Sequence, residues 1–193
     1  MGRLKFFRNI LIVPLSIVFF ASLAQAGEVK KREDGIHFQP WVKNISFLDL
    51  KEDLDEALGS KKLGLAVIFE QPGCGSCKRL HEVNFSDNTL VKLITDNFDV
   101  LQINMYGSSE VTDMSGAVIN ERVLSEKMAV NFTPTTAFFD ETGKEIFRIP
   151  GYLKPKFYQR AVEYVIDRGP QRKILFPRWS RDRLKKLKAE KGT

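Results

Sequence analysis

The chain has 193 residues, 43% of them hydrophobic and 28% charged, with only two cysteines and two histidines. That length suits one domain with an adequate core plus terminal extensions, and the cysteine count excludes a disulfide-dense scaffold. The formal net charge of +6 belongs to the ends: residues 1–26 hold Arg3, Lys5 and Arg8, and residues 168–193 hold ten Lys/Arg against Asp182 and Glu190, so the stretch between is net acidic and excludes a basic nucleic-acid-binding core.

Three basic residues, the apolar stretch Ile10 to Leu23 and the small-x-small pattern Ala24-Gln25-Ala26 read as an export signal peptide, residues 1–26, cut after Ala26. The alternative is an uncleaved membrane anchor, since the stretch with its flanks nearly reaches spanning length. Both place the folded part on the exported, periplasmic side, where the environment is oxidising. Residues 27–40 form a polar N-terminal segment, expected to be loose, and Trp41 to Phe47 reads as a short first strand. Asp49-Leu50-Lys51-Glu52 has the shape of a capping box and opens a helix with Leu50, Leu54, Ala57 and Leu58 on one side, ending near Gly59. Leu65 to Phe69 is a buried strand, Pro72-Gly73 its turn, and Lys78 to Val83 a helix entered through Cys74-Gly75-Ser76-Cys77.

Ser86-Asp87 caps a further helix through Thr95, and Phe98 to Met105 is a strand. Residues 106–119 read as a polar insertion with a turn at Asp113-Met114-Ser115-Gly116. Glu121 to Val130 is a helix; Thr135 to Phe139 and Lys144 to Ile149 form a hairpin about Glu141-Thr142-Gly143; Lys154 to Arg168 is a closing helix with Phe157, Ala161, Tyr164 and Val165 at helical spacing. Alternating βα units followed by a hairpin and a helix predict an α/β fold, residues 41–168, with a mixed sheet covered by helices on both faces. A basic tail, residues 169–193, follows Gly169-Pro170.

Chemistry concentrates at the cysteine pair. A helix N-terminus at Cys74 presents N–H groups and a dipole that favour a thiolate, and the two-residue spacing brings the sulfurs within reach of a disulfide. Lys78 stands where covalent haem attachment needs His, so that use fails, and a four-ligand zinc site has only His37 and His81 to add to the pair. His81 lies one helical turn beyond Cys77, which leaves a second use open: Cys74, Cys77 and His81 as a Cu(I) site in a copper-binding chaperone. The plain reading of His81 is an exposed or half-buried helix residue.

Three separated motifs, Phe69-Glu70-Gln71-Pro72-Gly73-Cys74-Gly75-Ser76-Cys77, Phe132-Thr133-Pro134-Thr135 and Gly151, make the chain resemble the thioredoxin superfamily from about Trp41 to Arg168. The Gly107 to Asp113 stretch and Arg148-Ile149-Pro150-Gly151-Tyr152 are similar to exported members of the SoxW type. The resemblance implies a thioredoxin-like fold without cofactor, Cys74 as attacking thiolate, Cys77 as resolving thiol, and Pro134 as a cis-proline that turns the Thr133 backbone toward an extended substrate. It implies a protein-disulfide reductase that draws electrons from a membrane thiol transporter and delivers them to a client protein carrying a disulfide or redox cysteine. The chain departs from the family pattern at three places: Ile68 stands for the usual buried Asp, Gln102 for its Lys partner, and Gly73 for the Trp before the first Cys. The nearest substitute acid in sequence is Glu70, which is either a surface charge at a strand end or a carboxylate near the thiols, where it would oppose thiolate formation and have its own pKa raised. In the tail, Ile174, Leu175, Phe176, Trp179, Leu184 and Leu187 interleave with basic residues, which fits docking on an anionic membrane surface, a solvated extension, or packing of Phe176 and Trp179 back onto the domain.

Overall fold

Every residue from Gly64 to Glu70 is buried, as required of a strand enclosed on both faces. The computed structural model describes residues 29–43 and 48–192, and there this strand is the centre of the main sheet. With β1 at Leu48–Asp49, α1 at Leu50–Gly59 and β2 at Gly64–Glu70, the chain continues through α2 (Gly75–Arg79), a π-helical turn (Leu80–Asn84), α3 (Asn88–Thr95) and β3 (Phe98–Asn104). A short hairpin, β4 (Glu110–Thr112) and β5 (Val118–Asn120), precedes α4 (Glu121–Lys127), β6 (Thr135–Phe139), β7 (Glu145–Pro150), α5 (Pro155–Ile166) and α6 (Phe176–Lys191). The sheet order is β3-β2-β6-β7, with β3 parallel to β2 and β6 and β7 antiparallel to their neighbours.

Strand alternation divides the core. Ala66 and Ile68 face a cluster with Leu80, Phe85, Leu90, Tyr158 and Val162, beneath α2, α3 and α5; Leu65, Val67 and Phe69 face Leu50, Leu54, Leu124 and Val130, beneath α1 and α4. This is the α/β arrangement expected from the sequence. Local chemistry sets the helix starts: Asp49 accepts from the Lys51 and Glu52 amides, both at 3.0 Å, and Asp87 from those of Thr89 and Leu90.

Expectations change at the first strand and the N-terminal segment, while the insertion and the tail gain detail. The export segment 1–26 and residues 44–47 of the expected first strand lie outside the described residues; Trp41–Lys43 are not in a strand, and pairing begins at Leu48. The polar insertion carries the expected turn and, beyond it, two strands: β1, β4 and β5 form a second sheet, and the turn is organised by Asp113, whose Oδ1 accepts from the Ser115 and Ala117 amides at 2.7 and 3.1 Å while Oδ2 meets Lys127 Nζ at 2.5 Å. The N-terminal segment is docked, with a bridge between Lys31 and His37 and with Ile36 and His37 buried. Finally, of the readings open for the tail, the one in which Phe176 and Trp179 pack back onto the domain holds, on a helix against α5. Trp179 is buried, its indole N–H donates to Asp167 Oδ2 at 3.1 Å, and its ring stands 5.6 Å from that of Tyr164.

Candidate functional site

At the end of β2 the chain turns through Pro72 and Gly73, whose φ of +74° is a conformation that glycine adopts without a Cβ penalty. Cys74 then serves as N-cap of α2: its Sγ accepts from the Cys77 amide at 3.0 Å, and its carbonyl accepts from the Lys78 amide at 3.0 Å. Cys74 and Cys77 are joined in a disulfide with Cα atoms 5.2 Å apart. Cys74 is 8% exposed and Cys77 fully buried, so one sulfur lies near the surface and the other in the interior. The amide that contacts Sγ, together with the α2 N-terminus, lowers the energy of a thiolate at Cys74 once the bond is reduced.

Thr133 comes from a different part of the chain. Its Oγ1 donates to Cys74 Sγ at 3.4 Å, and the Thr133–Pro134 peptide bond is cis. Phe132, 66% exposed, Gln71, Ser76, Gly151 and Tyr152 surround an open groove of about 500 Å³ beside the sulfurs. The Arg79 guanidinium stands over the Tyr152 ring at 5.5 Å.

Glu70 is no surface charge. It is completely buried on the same β2 face as Ile68, and on the neighbouring strand Gln102 pairs with Ile68. His81 Nε2 lies 2.5 Å from Glu70 Oε1, His37 Nδ1 lies 3.5 Å from Glu70 Oε2, and the Gln102 amide nitrogen lies 3.5 Å from Oε1 while donating to the His37 carbonyl at 2.9 Å. Burial opposes ionisation of this carboxyl, but the two imidazoles outweigh it and hold the group below the usual carboxylate range, the reverse of the upward shift expected near thiols.

His81 is likewise neither exposed nor half-buried. The π-helical turn carries it into the core against Phe85, 1% exposed, with Nε2 facing Glu70. The structure therefore brings Cys74, Cys77, Thr133 and Pro134 together, pairs Glu70 with His81, and does not assemble Cys74, Cys77 and His81 into one ligand set. The sequence reading gave His37 no role. Its one signal was Gly35-Ile36-His37-Phe38, an apolar island in a polar segment.

Comparison with known proteins supplies a fold family. A family model described as a thioredoxin-like domain matches residues 50–166. Among solved structures, a thioredoxin-fold protein from Helicobacter pylori is 24% identical, with a TM-score of 0.57, over 77% of this chain and 88% of that one. A thioredoxin from Thermus thermophilus is 20% identical, with a TM-score of 0.47, over 62% and 85%. The periplasmic thioredoxin SoxS from Paracoccus pantotrophus is 20% identical, with a TM-score of 0.39, over 54% and 97%. Comparison with curated protein sequences gives no significant match.

Proposed function

The chain belongs to the thioredoxin-like domain family, and from that premise we propose that it is a thiol-disulfide oxidoreductase that reduces client protein disulfides on the exported side of a membrane. One observation carries the proposal: a Cys74–Cys77 disulfide at a helix N-terminus, with the Cys74 sulfur in contact with Thr133, which lines an open groove.

In the reduced protein the Cys74 thiolate attacks one sulfur of the client disulfide. A Cys74–client S–S bond forms, the client S–S bond breaks, and the second client sulfur leaves as a thiolate that takes a proton. Cys77 then loses its proton and attacks Cys74 Sγ, which closes the Cys74–Cys77 disulfide and releases the first client sulfur. The client gains two electrons and the protein loses two, so each cycle ends with an external dithiol, proposed to be a membrane thiol transporter, restoring the pair. Thr133, joined to Pro134 by a cis bond, lines the groove in which an extended client segment pairs with the backbone. Glu70, on the β2 face where the family's buried acid would stand two residues earlier, is held by His81 and His37 rather than by either sulfur. Export rests on the leader pattern of residues 1–26.

Equilibration of the protein with glutathione tests the direction of electron flow. A reduction potential near that of thioredoxin, about −270 mV, supports the reductase; one near −120 mV makes the protein an oxidant and overturns it.

A further inference from the structure

His37, Glu70 and His81 come from three separate parts of the fold, the N-terminal segment, β2 and the π-helical turn, yet each offers a ligand atom within 4.8 Å of the others. All three are buried. Among the described residues His37 Nδ1, Glu70 Oε2 and His81 Nδ1 have no hydrogen-bond partner, since the 3.5 Å contact between His37 Nδ1 and Glu70 Oε2 satisfies neither atom. Orphaned buried polar atoms each cost about 1–3 kcal/mol, and two of these, His37 Nδ1 and Glu70 Oε2, face one another, so the pair calls for an occupant.

We propose that His37, Glu70 and His81 form a buried binding site for a divalent transition metal of the zinc class. Two imidazole nitrogens and a carboxylate oxygen are the borderline donors that zinc takes, and they differ in kind from the soft thiolates of the disulfide. Donors about 2 Å from a tetrahedral ion stand about 3.3 Å apart, close to the 3.5 Å that already separates His37 Nδ1 from Glu70 Oε2. The 2.5 Å pair of His81 Nε2 and Glu70 Oε1 opens by under about 1 Å when the ion takes the place of the shared proton. Gln102, buried, turns its amide nitrogen toward the carboxylate and the His37 carbonyl, so the fourth position falls to water.

Gln102 also lines a cavity of about 470 Å³, where Glu33, Asp34, Glu110 and Glu121 outnumber Arg32 and Lys43, so an acidic vestibule adjoins the site. The ion would clip the N-terminal segment to the sheet. The test reads the metal directly.

The full chain, with its disulfide intact and stripped with chelator, is titrated with zinc alone against a chromophoric competitor, and separately with cobalt. The expected result is one zinc per chain, a rise in melting temperature on loading, and cobalt d–d bands without a thiolate charge-transfer band. His37→Gln and His81→Gln each weaken binding by at least about tenfold. His37→Gln alters only the docked segment, so it stays informative if His81→Gln does not fold. The Cys74→Ser/Cys77→Ser double variant keeps the stoichiometry and the cobalt spectrum. Absence of zinc binding, binding unaffected by His37→Gln, or binding lost with the cysteines overturns the proposal.

Discussion

Replacing Trp179 by alanine asks whether the C-terminal helix is part of the domain. The indole is 7% exposed and meets Tyr164, while Phe176, one turn earlier, stands 5.7 Å from Phe147 on β7. Truncating a buried Trp to Ala costs about 3–5 kcal/mol, and the lower end applies because α6 lies at the edge of the domain and its neighbours can close inward. Loss of the bond to Asp167 adds about 0.5–1 kcal/mol, since that carboxylate is exposed and water replaces the indole. A total of about 3–4 kcal/mol, at a urea slope of about 2 kcal/mol/M, lowers the unfolding midpoint by roughly 1.5–2 M, and by about 2–4 °C per kcal/mol it lowers the melting temperature by roughly 6–16 °C. Urea unfolding followed by far-ultraviolet circular dichroism measures this without depending on the lost fluorophore. A midpoint change worth under about 0.5 kcal/mol, the range of surface substitutions, would refute the packing account and return residues 169–193 to the status of an appendage.

Asp113 is held well below the usual carboxylate range, first by its hydrogen bond from Lys127 and then by that from Ser115. A depressed folded pKa gives stability that is present above the unfolded value near pH 4 and lost as pH falls through the folded value, so Asp113→Asn should cost about 1–2 kcal/mol at pH 7 and flatten the acid limb of the stability curve; an unchanged acid limb in chemical denaturation would contradict this. Arg178, Arg181, Lys185, Lys186 and Lys188 are all exposed on α6. If this face meets anionic headgroups, the Lys185, Lys186 and Lys188→Glu variant should lose co-sedimentation with anionic vesicles at low salt, and the wild type should lose it at high salt, at about 1 kcal/mol per charge. Equal sedimentation of the two proteins at every salt level would remove membrane contact from the account. Charge reversal is the right perturbation, because deleting residues 172–193 also removes Trp179 from the core.

What was legible in the sequence was local. The Asp49 and Asp87 caps, the Leu65–Phe69 run and the 135–139 strand carry their signals in neighbouring residues, and the structure places them within a residue or two of expectation. The cysteine pair was legible for the same reason, since its spacing and its helix N-terminus are adjacent in the chain. The rest depends on distant partners. Strands β4 and β5 are three-residue pieces that exist because Leu48–Asp49 pairs with β4, β5 pairs with β4 in turn, and Asp113 ties the turn between them. Residues 29–43 look soluble and loose until Gln102 binds the His37 carbonyl and Ile36 is buried. Glu70 reads as a charge at a strand end because its two imidazoles approach from elsewhere, one from the N-terminal segment and one through the π-helical turn that redirects His81. Phe176 and Trp179 carried the correct hint in the tail, aromatics among basic residues, but their seat, at Phe147, Tyr164 and Asp167, is not local to them in the chain.

The order of attack by the two cysteines tests the central claim most directly, because the near-surface position of Cys74 and the full burial of Cys77 assign them different steps. Each single serine variant, reduced and mixed with a protein disulfide substrate, is resolved on a non-reducing gel and identified by mass spectrometry. Cys77→Ser should accumulate a covalent adduct through Cys74, since nothing remains to release it, while Cys74→Ser accumulates little or none. Equal trapping by both variants, or trapping by Cys74→Ser alone, would contradict the assignment of Cys74 as nucleophile and Cys77 as the resolving thiol.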